Sequence, residues 1–217
     1  MALGIISGIV AVGTAVGKVV AGALGNIAIR AKIIELVKVF CELVVLILQN
    51  KLGMDKDTKM EDLSVKSIQA EKEGVKPENF KSYKEYLEEI NKREIDPVKA
   101  KEIPEDDKIK KMAEIAASVL KEVNPNMQVE RMFKYFEGNN SYLTPERMKI
   151  VGDIGLTNEK MAEAILDYLT GGVMNTNSKL EAEEYLQELE KRMPESTLNM
   201  DDVVKYASAE REINVSK

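Results

Sequence analysis

The sequence predicts an all-α protein in three parts: an apolar, glycine-rich helical hairpin, a charged helical linker region and a small C-terminal helical bundle. Three observations carry this. Residues 1–50 contain six charged side chains, Lys18, Arg30, Lys32, Glu35, Lys38 and Glu42, set among runs of Ala, Val, Ile and Leu. Glycine recurs in that head at four-residue spacing. After it, apolar residues return at steps of three and four, and no segment alternates convincingly at period two.

The head begins with residues 2–25, in which Lys18 is the one charge. As a helix this stretch would be about 36 Å long, enough to cross a hydrocarbon core of about 30 Å with some tilt. Gly4 and Gly8, and then Gly13, Gly17, Ala21 and Gly25, form ladders of small residues that predict close approach by another backbone. So many glycines weaken a lone helix in water by about 1 kcal/mol each relative to alanine, so packing must compensate. The β-branched content leaves a strand hairpin open as a competing reading.

Gly25 and Asn26 mark a hairpin bend, since both tolerate the left-handed conformation. Residues 27–49 read as a second helix, apolar over most of its girth. Glu35, Lys38, Glu42 and Gln49 form one thin polar stripe along it, with Arg30 and Lys32 off the stripe near its start. Pairing along the stripe on a solvated face is the plain reading; a polar pore lining built from several copies is the sharper one. The uninterrupted run 43–48 is the most lipid-like part of this second helix.

The head carries +2 and the whole chain −6, so residues 51–217 carry −8. Residues 51–104 are dense in mixed charge, which predicts exposed helices and linkers. Within them Phe80, Tyr83, Leu87 and Ile90 form one narrow helical seam, with Pro77 as a first-turn proline. Residues 105–217 read as a small bundle of four to six helices. Ile109, Met112, Ile115, Ala116, Val119, Leu120 and Val123 line the first, which Asn124-Pro125 ends. Gly138 to Ser141 form a loop, Thr144-Pro145-Glu146 and Thr157-Asn158-Glu159 start helices, Gly171-Gly172 stops one, and Ser178 with Glu181 reads as a capping box.

Chemistry is harder to find. The chain has no histidine and one cysteine, Cys41, in an apolar run. That removes the commonest general base and metal ligand and rules out an internal disulfide. Gly13 to Val19 departs from a phosphate-binding loop by one residue of spacing and by Val19 where Ser or Thr must reach magnesium. The residues therefore predict no enzyme, no cofactor and no metal site. The acidic body lacks the basic face that nucleic acid requires. No basic residue precedes Lys18, which predicts no cleavable secretion signal.

Two functions fit. One is a membrane-active, self-assembling helical protein: a pore, or a membrane-penetrating or membrane-anchored assembly component, with the bilayer, other copies of itself and other assembly proteins as partners. The other is a soluble structural subunit of a phage- or secretion-type particle, its apolar N-terminus packed in the centre of a ring or filament. The first predicts membrane association and a soluble monomer once residues 1–50 are removed; the second predicts incorporation in a particle.

Overall fold

The computed structural model describes residues 2–51, 53–55, 57–136, 142–193 and 198–215. The predicted loop at Gly138 to Ser141 lies outside them. Among the described residues there are eleven α-helices, one 3-10 turn and no strand, so the strand reading of the head is overturned. The helices gather into two compact units, residues 1–125 and 126–217.

The first unit contains α1 (Ala2–Leu24), α2 (Ile27–Lys51), α3 (Met60–Lys72), a 3-10 turn (Pro77–Asn79), α4 (Tyr83–Lys92), α5 (Pro97–Lys101) and α6 (Glu105–Val123). The bend falls at Gly25 and Asn26, but no left-handed residue makes it. Instead Asn26 caps α2: its Oδ1 accepts from the Ala28 N–H at 3.0 Å while its carbonyl accepts from Arg30 at 2.9 Å. A short polar side chain competing for backbone donors is what a cap requires. Left-handed glycine is used later, at Gly74 (φ +86°), where the Val75 N–H reaches back to the Ala70 carbonyl and closes α3. Pro77 opens only the 3-10 turn. α4 starts six residues on, where the Ser82 side chain accepts from the Glu85 N–H.

The compositional boundaries at 50 and 104 fall inside this unit rather than between folded parts. Met60, Leu63, Val65 and Ala70 of α3 are buried, as are Tyr83, Tyr86, Leu87 and Ile90 of α4. A helix needs only one apolar stripe to join a core, so half the residues can be charged and still belong to it. The centre of the unit is α6. From Met112 to Leu120 every residue but Glu114 is buried, because α1, α2, α3 and α4 all pack on this helix. Run 43–48 is core as well, with Leu43, Val44, Ile47 and Leu48 buried and Leu46 53% exposed. Removing residues 1–50 would therefore strip two faces of α6, and the structure argues against a well-folded remainder.

The second unit holds α7 (Val129–Tyr135), α8 (Pro145–Thr157), α9 (Glu159–Leu169), α10 (Thr176–Lys191) and α11 (Met200–Val215). Thr144 caps α8, with Pro145 as its first residue, and Asn158 ends α8 and caps α9. Gly171 (φ +77°) stops α9. The cap of α10 is Asn175, whose Oδ1 accepts from the Ser178 N–H at 2.9 Å, so Ser178 lies inside the helix rather than capping it. Two acids missed by composition sit in this core. Glu190, 2% exposed, accepts from the Tyr142 hydroxyl at 2.9 Å and from the guanidinium of Arg147. Glu210, 5% exposed, accepts from the Tyr142 N–H at 2.8 Å and from the Tyr135 hydroxyl. Burial, reinforced by these carboxylates, pushes the Tyr135 and Tyr142 hydroxyls well above the usual phenol range, so they remain donors.

Candidate functional site: the N-terminal helix and its polar seat

Among the described residues, Ile6–Leu24 of α1 is the one helical segment long and apolar enough to cross a membrane. In this structure it lies on α6. Residues of α1 and α6 follow one another in opposite order along the chain: Ile6 and Ile9 line one cavity with Lys121 and Glu122, Gly13 lies against Ser118, Gly17 against Glu114, and Arg30, just beyond the bend, bonds Asp106. The two helices therefore run antiparallel along most of their length. Val16, Val19, Val20, Ala23 and Leu24 are buried. The outward face carries Ser7, Gly8, Ala11, Thr14, Lys18, Ala21 and Gly22.

The ladder positions divide between these faces. A β-carbon on Gly13 would stand 2.8 Å from the Glu114 carbonyl oxygen and collide with the Ser118 hydroxyl; one on Gly17 would stand 2.6 Å from Glu114 Cγ. Gly8 has open space, while Ala21 and Gly25 are exposed. The reason is geometric. Four residues turn a helix by about 400°, so each rung drifts about 40°, and Gly25 ends up about a third of a turn from Gly13. The surroundings of Gly4 lie outside the described residues. In α2, Glu35, Lys38 and Glu42 are exposed and Gln49 is half-buried.

Under α1 the seat is polar, and of its residues only Tyr83 stands out in the sequence, as part of an apolar seam. Lys111 of α6 is held between Glu71 of α3, at 3.0 Å, and Glu114. Glu71 also accepts from the Tyr86 hydroxyl at 3.3 Å, and Tyr86 shares a 2.6 Å hydrogen bond with Ser67. Tyr83 and Ser118 line the same cavity. Burial disfavours the Lys111 ammonium, but Glu114 and Glu71 outweigh it and hold its pKa above the ordinary lysine value. A lysine so held is a structural cation rather than a base or nucleophile. Between this cluster and Val10, Gly13 and Thr14 of α1 lies a half-open cavity of about 270 Å³, with Lys76 and Glu78 at its rim. The signal that could have exposed the seat is Ser118, a small polar residue on the otherwise apolar stretch of a central helix, which lies opposite Gly13.

The two ends of α1 are held differently. Arg30 donates to the Leu24 carbonyl at 2.8 Å, the last turn of α1, and bidentately to Asp106 at 3.0 and 2.6 Å. Both partners are partly exposed, so this pair is weakened by salt. At the other end Glu122 accepts from the Tyr83 and Lys84 N–H groups, at 3.0 and 3.4 Å, which caps α4, while its Oε2 is buried without a hydrogen-bond partner. Burial raises its pKa against the pull of those two N–H groups. The folded state thus binds this proton more tightly than the unfolded one. Its stabilising contribution is complete below the unfolded glutamate value of about 4.3 and fades as pH rises through the higher folded value. Unfolding titrations should show that acid-side gain in the parent and lose it in Glu122→Gln.

Among the described residues no group of His, Cys, Asp or Glu is arranged to hold a metal ion. Comparison with known proteins gave no match to a family model, a curated protein or a solved structure.

Proposed function

We propose that the protein is a membrane-active, self-assembling helical protein whose lipid-contacting segment is α1. The observation that carries this reading is the pairing of a span-length apolar helix with an outward face on which Lys18 is the one charge between Ser7 and Gly25. Charge at the centre of a spanning helix costs about 2.5–3.5 kcal/mol per residue; α1 carries one charge, whereas α2 carries Glu35, Lys38 and Glu42 along its middle besides Arg30 and Lys32 near its start. The account therefore inserts α1 and leaves α2 at the surface, where its stripe stays in water. Lys18 must snorkel or pair with another copy.

Liposome flotation of the full chain without detergent tests this. Ala21 is exposed, so Ala21→Glu leaves the water-soluble packing of α1 intact while adding a second charge to the span. The parent is expected to float and Ala21→Glu to float less at equal helical content. Equal flotation of the two would remove α1 as the lipid-contacting segment.

A second reading rests on the burial of Val16, Val20 and Leu24 within the first unit, which is how the core helix of a soluble protein behaves. On that reading the protein is a structural subunit of a phage- or secretion-type particle, ignores lipid and sediments as a defined lipid-free assembly.

A further inference from the structure

We infer that the α1–α6 contact is an autoinhibitory clasp: α6 occupies the glycine face of α1 that a second helix would otherwise take, and α1 must leave α6 before it can insert and assemble. This rests on the membrane reading above. Three features of the contact point to a docked state built to open. First, the tightest stretch, Gly13 and Gly17, contributes no side-chain area, and lipid or a second helix would bury Val16, Val20 and Leu24 again once α1 has left the first unit. Second, the seat is already paired without α1. Lys111, Glu71, Glu114, Tyr86 and Ser67 come from α3, α4 and α6 and keep their bonds to one another when α1 lifts. Third, the cavity beside Gly13 and Thr14 opens to solvent, so water can enter along the seam and hydrate the cluster as it is uncovered. Arg30, joined to both Leu24 and Asp106, is the latch at the bend end of α1.

The test is a reversible lock. With a β-carbon on Gly17 standing 2.6 Å from Glu114 Cγ, cysteines at these two positions are within disulfide reach. Gly17→Cys/Glu114→Cys/Cys41→Ala is oxidised with glutathione disulfide, then compared with its own reduced form for flotation and for dye release from vesicles of neutral and anionic phospholipid. The clasp predicts release by the reduced protein and none above protein-free vesicles by the oxidised one. Equal release by both forms, with the reduced form floating, overturns the clasp and leaves the membrane reading standing. Flotation by neither form, with the parent also failing to float, overturns the membrane reading and the clasp with it. If the triple variant does not fold, Arg30→Gln decides: more release than the parent supports the latch, and equal or lower release overturns it.

Discussion

Arg147→Met is expected to destabilise the second unit by about 3–5 kcal/mol, measured by denaturant unfolding. Glu190 has a fully buried side chain, and Arg147, itself 14% exposed, is the cation on it, bonding through Nε and through Nη2 at 3.2 Å. Removing the guanidinium takes the paired cation away from a carboxylate in a low-dielectric core that also accepts from the Tyr142 hydroxyl, and the desolvation of the charge is then poorly compensated. The stack of the guanidinium on the Tyr142 ring, 5.1 Å to the centroid, is lost as well. The double variant Arg147→Met/Glu190→Met should recover a large part of the loss, because it removes the orphaned charge together with its partner. If the double variant is as unstable as the single one, the network is packing rather than charge satisfaction.

The second large effect is expected at Gly13. Gly13→Leu should cost about 1–3 kcal/mol or more, since the new side chain must displace the α6 backbone and not merely a mobile side-chain end. Gly8→Ala and Gly22→Ala, on the same helix, meet nothing within 4 Å and should stabilise by up to about 1 kcal/mol through helix propensity. Gly17 belongs between these: a β-carbon there meets the Glu114 side chain rather than backbone, and that side chain can shift only by loosening its pair with Lys111. Opposite signs at Gly8 and Gly13 in thermal unfolding check that the glycines serve different faces. A uniform loss across all four positions would contradict the docked geometry of α1.

These effects show where the sequence was legible. Local punctuation read well: Asn124-Pro125, Thr144-Pro145, Asn158 and Gly171 are where helices end or begin, because caps and φ restrictions act within a few residues. Between α1 and α2, at Gly25 and Asn26, the chain turns on a cap rather than on the left-handed residue that the sequence suggests. What failed was anything decided by a distant partner. The four-residue ladder reads as one face in a list of positions, yet its drift sends Gly13 and Gly25 to different surroundings. Residues 51–104 read as linker because charge density dominates composition, although Leu63, Tyr86 and Ile90 are nearly inaccessible. No local pattern distinguishes Lys111 and Glu114 of α6, or Glu190 and Glu210, from the many solvated charges of the chain. Their burial comes from helices far away in the sequence.

The account's central claim is that α1 is the part of the chain that enters lipid. Its most direct test is an environment-sensitive fluorophore placed, in a Cys41→Ala background, at Ala11→Cys on the exposed face of α1 or at Glu42→Cys on the exposed stripe of α2. The account predicts a blue shift and quenching by a lipid-borne quencher at position 11 when vesicles are added, with position 42 remaining in water. If position 11 keeps its aqueous spectrum while the protein sediments as a lipid-free particle, α1 is a core helix of a soluble assembly and the membrane reading is wrong.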